Sequence, residues 1–210
     1  MILNRNKTLI ILDWDDTLFP TTWVTTNDIN VKNLQDTSPT TVKYFAMVDK
    51  ELDHLLRILL RCGHVAIVTN AMLNWINISS NLLPRTSQLL RNTENNLDIE
   101  IISARGSYQH LSSNPMDWKK LAFEEIIKDM KFKKCNNIIS IGDAEYEYKA
   151  LINLHSNSPN GKSYRLLKSV RFVKYPTKDV LLDQIKVMQD AAIKVCCTKT
   201  HLDLKFELKQ

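Results

Sequence analysis

The 210-residue sequence is poor in glycine, with only four, and has no apolar run long enough to cross a membrane, so no membrane partner is expected. No repeat, low-complexity tract or linker interrupts it. One domain is therefore expected over 1–210, with a core at about 8–175 and a C-terminal helix-plus-strand extension over 176–210. The four cysteines, Cys62, Cys135, Cys196 and Cys197, lack metal-ligand spacing, which argues against zinc. An adjacent pair such as Cys196 and Cys197 is a poor disulfide framework, so the reading is a reducing compartment. The stretch ahead of the first apolar run is too short for a secretory leader, and the expected location is cytoplasmic. The histidines His54, His64, His110, His155 and His201 form no cluster.

What is present is a chain that is 44% apolar, enough to bury a core, with a net charge of +5. That charge favours anionic partners and leaves nucleic acid open. Lys162, Arg165, Lys168, Arg171, Lys174 and Lys178 recur along one stretch, read as a solvated basic edge.

Apolar runs bounded by turn signals fall at Leu9–Leu12, Val65–Val68, Ile99–Ile102, Ile138–Ile141 and Val170–Val173, each predicting a largely buried strand. Helical periodicity predicts helices over Val42–Arg61, Met72–Arg91 with an interruption at Pro84, Pro115–Met130, Glu145–Leu154 and Lys178–Val195. The alternation predicts an α/β fold: a Rossmann-like, doubly wound parallel sheet with helices on both faces. The alternating tail "HLDLKFEL" adds a possible further half-buried strand.

Asn114, Pro115 and Asp117 form a good helix start. Gly63 is read as a helix C-cap, Gly106 and Gly161 as loop positions, and Gly142 as a place of close backbone approach.

The first strand leaves through "DWDDT", three carboxylates within four positions. Two such charges about 4 Å apart repel by roughly 4 kcal/mol at an effective dielectric near 20, so the turn is either well hydrated or awaits a cation. Ligands of open parallel sheets bind beyond the carboxyl ends of the strands. Those ends carry Asp13, Asp15, Asp16 and Thr17, then Thr69 and Asn70, then Ser103, then Gly142 and Asp143. Asp13, Asp15 and Asp143 together suit Mg²⁺. Thr69 and Asn70 are candidates for holding a phosphate whose phosphorus a carboxylate attacks, and a second acid two residues on suits general acid–base work.

These residues resemble the haloacid dehalogenase superfamily: "DWDDT" its first motif, "VAIVTN" its second, and "IISIGDAEYE" its fourth, with Glu147 in place of the final Asp. The resemblance spans about Thr8 to Val173. It implies Asp13 as nucleophile and metal ligand, Asp15 as acid–base with its carbonyl on the metal, Thr69 on the phosphoryl group and Asp143 as the other metal carboxylate. An Asp at position 15 looks like the phosphatase branch. The family's lysine is expected at Lys119 or Lys120; the pattern "SAR…P…WK…AF…SIGD", similar to that of small, poorly characterised members, favours Lys119. Glu147 is a possible indirect partner of the metal, and Glu145 a weaker one.

Residues 20–39 suffice only for a short flap and 105–114 for a loop, so no large cap domain is expected. An open site would admit a small or a macromolecular phosphorylated substrate. Trp14, Phe19, Trp118 and Phe123 are read as packing residues, Arg105 and Tyr108 as surface residues within reach of substrate. A phosphate-binding module with negligible turnover is the alternative. A receiver-type signalling domain is disfavoured, because its phosphorylated Asp would end the third strand, which here ends Ile102, Ser103, Ala104.

Overall fold

The computed structural model describes residues 4–33, 38–91, 99–156 and 165–208; Gly161 and Lys162 lie outside these. Strands β1 (Thr8–Leu12), β2 (His64–Thr69), β3 (Ile99–Ser103), β4 (Asn137–Gly142), β5 (Leu166–Arg171) and β6 (Leu202–Lys205) form one all-parallel sheet ordered β3-β2-β1-β4-β5-β6. The first strand is thus central, and strand order reverses on either side of it.

Alternate residues of each strand feed opposite cores. Ile10, Leu12, Val65, Ile67, Ile139 and Ile141 pack against α2 (Pro39–Cys62) and α8 (Lys178–Cys197), whose Leu52, Leu56, Leu181 and Ile185 are buried. Leu9, Ile11, Ala66, Val68 and Ile138 meet Phe123 of α6 (Pro115–Ile126) and Leu151 and Leu154 of α7 (Glu145–Ser156). Burial on both faces explains why these strands read as continuous apolar runs, each fully buried Leu or Ile contributing about 1.5–3 kcal/mol. Trp14, Phe19 and Phe123 are buried, and Trp118 packs against the second cluster. No described helix is long and apolar enough to cross a membrane.

Several expectations shift. The Met72–Arg91 pattern is two helices, α3 (Leu73–Ser80) and α4 (Pro84–Arg91), because Pro84 lacks an N–H and restricts Leu83. The exposed amides of α4 are met by the buried Asp49 of α2, which accepts from Arg85 N at 3.0 Å and Thr86 N at 2.9 Å. The Pro115–Met130 helix stops at Ile126, and the Val170–Val173 strand is instead Leu166–Arg171. Residues 105–114 are not wholly a loop: α5 (Ala104–Tyr108) is capped by Ser103, which accepts from Gly106 N at 2.9 Å. Gly106 therefore lies in a helix. Gly63 does follow α2, but with φ −170° it is extended rather than left-handed; a Cβ there would stand 2.7 Å from Thr8 O.

The basic stretch is not uniformly solvated. Lys168 is fully buried and donates from Nζ to Val195 O at 2.8 Å and Cys196 O at 3.0 Å, closing the C-terminal end of α8 with a cation. Burial lowers its ammonium below the ordinary value, against a smaller opposing effect of Cys196 and Cys197. The tail strand β6 is an edge strand in which Leu202 packs on the core while Leu204 is 40% exposed. Among the described residues, the connection from β1 to α2 holds only α1 (Thr21–Thr26) and that from β3 to α6 only α5.

Candidate functional site

Register sets the site. Leu12 pairs with Ile141, and Asp13 N continues the ladder by donating to Ile141 O at 2.9 Å, so Asp13 leaves β1 beside Gly142 and Asp143 at the end of β4. On the other side β2 ends at Thr69, paired with Ser103 of β3. After β1 the chain turns at once: Asp16 takes φ 55°, a left-handed conformation that Asp tolerates better than most residues, and its carboxylate accepts from Thr22 N at 2.8 Å and from Thr22 Oγ1. This turn directs Asp15 toward β2.

Lys119 enters from α6. It is 1% exposed, stands 2.7 Å from Asp13 Oδ1 and is ion-paired to Glu147 Oε1. Lys120, by contrast, lies outside the site and pairs with Asp117 at 3.8 Å. The helical phase carries a signal for this: Lys119 shares its face with Ala122, Phe123 and Ile126 at i+3, i+4 and i+7, all buried. The helix is placed by Asn114, which accepts from Met116 N at 3.1 Å at its start, with Pro115 following.

Glu147 is held as tightly. Its Oε2 accepts from Ala144 N at 3.1 Å at the opening of α7, and it lies against Gly142, where a Cβ would stand 2.4 Å from Glu147 Cγ. Only glycine leaves this space. Glu147 thus touches Lys119, and Glu145 stays exposed, 3.5 Å from Arg171.

Electrostatically, Asp13, Glu147 and Asp143 crowd one ammonium. Burial raises the Asp13 carboxyl well above its usual range; Lys119 opposes this, and Glu147, Asp15 and Asp143 add to it. Asp143 is pushed up to about 7, first by burial and then by Glu147 and Asp16. Burial alone would lower Lys119, but Asp13 and Glu147 reverse that and hold it above its ordinary value. Thr17 Oγ1 donates to Asp143 Oδ1 at 3.5 Å.

This excess of carboxylate suits a hard divalent cation, which would offset the charge that burial and mutual repulsion penalise. Asp13, Asp143 and the carbonyl of Asp15 are the residues that would hold it. Among the described residues no three His, Cys, Asp or Glu side chains group as metal ligands, and this set itself comprises two carboxylates and one carbonyl.

Asp15 has partners that sequence reasoning missed. Its carboxylate accepts from Trp75 Nε1 at 2.8 Å, Thr69 Oγ1 at 3.2 Å and Thr21 Oγ1. Trp75 and Thr21 had no motif to mark them. Thr69 in turn accepts from Ala71 N at 2.9 Å. Asn70 turns to α6, donating to Pro115 O at 3.2 Å, and its buried Oδ1 has no partner. Arg105 lies 5.9 Å from the Trp118 ring, and Tyr108 packs against the core. Compared with known proteins, the chain matches no family model, no curated protein and no solved structure.

Proposed function

We propose that the chain is a Mg²⁺-dependent phosphomonoester hydrolase of the haloacid dehalogenase type, open to solvent and acting in the cytoplasm. The observation that carries this reading is the gathering of Asp13, Lys119, Glu147 and Asp143 at one end of the sheet, where strand order reverses, with Thr69 alongside. Asp13 attacks phosphorus in line, the ester oxygen departs with the proton of Asp15, and an aspartyl-phosphate forms on Asp13. Water, deprotonated by Asp15, then releases inorganic phosphate and restores the carboxylate. Lys119 screens the charge on Asp13 and on the transferred oxygens, and the Thr69 hydroxyl swings its one proton from Asp15 to a phosphoryl oxygen when substrate binds. Mg²⁺, which Asp13 and Asp143 would hold, would supply charge neutralisation for the phosphoryl group.

The test is phosphate release from 4-nitrophenyl phosphate with and without Mg²⁺. Asp13→Asn abolishes turnover while circular dichroism stays native; full activity in that variant refutes the reading. A binding module without turnover is favoured by one observation, the three donors that occupy Asp15. Under that reading Asp15→Asn leaves phosphate binding intact and removes no activity, whereas the hydrolase loses about 10²–10⁴-fold in turnover.

A further inference from the structure

The sheet ends on β6 with an open edge: among the described residues no strand lies beyond it. Phe206 N donates to Arg171 O at 2.8 Å, and Lys205 is the residue in register with Arg171, so Leu202, Leu204 and Phe206 turn their backbone groups to β5. The amides and carbonyls of Asp203 and Lys205 therefore point outward. The side chains divide in the same alternation. Leu202 and Phe206 pack on the core beneath α8, Leu204 on the same face is 40% exposed, and Asp203 and Lys205 stand exposed on the other. Asp203 accepts from Arg171 at 2.9 and 3.0 Å, yet its side chain is still 47% exposed.

This edge is complementary to itself. The stretch "LDLKF" alternates apolar and charged residues from either end, and its two charges are opposite in sign. We propose that β6 pairs antiparallel with β6 of a second copy of the chain, about a two-fold axis at Leu204. Asp203 then faces Lys205 of the second copy, and Lys205 faces its Asp203. Both pairs fall where the outward amides and carbonyls exchange hydrogen bonds. Leu204 meets its own copy at the axis with Cα atoms about 4.5 Å apart, flanked on either side by Leu202 against Phe206. Sliding the register by two residues either way opposes Asp203 to itself or Lys205 to itself, so charge selects this register.

Charged residues on an edge strand ordinarily deter pairing, but here each is answered by the opposite charge across the axis. A closed two-fold contact also uses up the edge and leaves it nothing further to recruit. On the face toward α7 a groove of about 490 Å³ opens beside Asp203, and Ile152 on its wall is 44% exposed. The aliphatic stem of Lys205 from the second copy would cover its open side. The seam is short, which sets a dissociation constant on the order of 10–100 μM. The pairing is independent of the hydrolase reading.

The experiment is sedimentation equilibrium of the full chain under reducing conditions, over a concentration range that spans the expected dissociation constant. The weight-average mass rises from 24.3 kDa toward twice that value. Lys205→Glu and Asp203→Lys, each folded by circular dichroism, weaken association about tenfold or more, because two attractive pairs become repulsive. An equimolar mixture of those two variants associates again to within about threefold of wild type, since each chain then carries the charges that the other lacks. Lys128→Glu, an equal change of charge on α6, leaves association unchanged. Should Asp203→Lys fail to fold for want of the Arg171 pair, Leu204→Lys provides the second variant: it alters a residue already exposed and sets two cations at the axis, which abolishes association. A chain that stays monomeric throughout the range overturns the proposal. So does a dimer that survives Lys205→Glu and Leu204→Lys, or a mixture of the two folded charge variants that remains monomeric.

Discussion

Lys119→Met should be the most damaging single change at the site, and its cost should depend on pH. Lys119 stands 2.7 Å from Asp13, a separation at which the gross attraction is about 6 kcal/mol for an effective dielectric near 20, before desolvation is subtracted. Removing one partner of a buried pair costs about 3–5 kcal/mol, because the other charge stays buried. Here two carboxylates are left, Asp13 and Glu147, both nearly inaccessible. A chain of this size loses about 2–4 °C of melting temperature per kcal/mol, so a fall of roughly 6–20 °C is expected at pH 8. The sign follows from Asp13: burial already raises its carboxyl above the usual range, and without Lys119 the attraction that opposes this is gone. The deficit is therefore smallest below about pH 4 and grows as pH climbs. Thermal unfolding followed by circular dichroism at pH 5, 6.5 and 8 measures it, and adding Glu147→Gln should restore part of the loss. A Lys119→Met protein that melts within 2 °C of wild type at pH 8, or equally far below it at every pH, would refute the buried-pair account.

Gly142→Ala forces a Cβ to within 2.4 Å of Glu147 Cγ, and should cost about 1–3 kcal/mol in urea unfolding while weakening activity through Glu147 and Lys119. The metal-free protein should lose stability between pH 4 and 8, because Asp143 titrates near 7 when folded and near 4 when unfolded; full linkage gives at most about 4 kcal/mol. Asp143→Asn should flatten that profile, and a stability curve unchanged by the substitution would count against it. Lys168→Ala strips two hydrogen bonds from the end of α8 and leaves a cavity, for an expected loss of about 2–4 kcal/mol in denaturant unfolding.

The sheet was legible because both of its faces are covered: Leu9–Leu12 and Ile138–Ile141 carry no polar residue except Ser140, and such runs have no alternative but burial. The fifth strand was misplaced for a related reason. Lys168 interrupts it as a surface residue would, and what makes its burial tolerable is a pair of carbonyls 27 and 28 residues away, a tertiary contact with no local signature. At the site, Asp13, Thr69 and Asp143 could be found because strand ends are where open sheets present their chemistry; Lys119 was favoured over Lys120 only by the family pattern, although the helical phase, which buries Lys119, separates the two as well. Trp75 and Thr21 could not. They reach Asp15 only once α3 and α1 have packed beside β1, and neither residue type marks such a contact in advance.

The central position of β1 fixes when the site can exist during synthesis. Its neighbour β4 lies 129 residues further along, Thr8 pairing with Asn137, so a nascent chain carries β1 for more than half its length with one side open. Leu9 to Leu12 are then an apolar edge of the sort that recruits other strands. A fragment ending before Asn137 keeps Asp13 and Thr69 but lacks both Asp143 and the ladder that orients Asp13, and the expected outcome is aggregation rather than a folded protein with a weakened site.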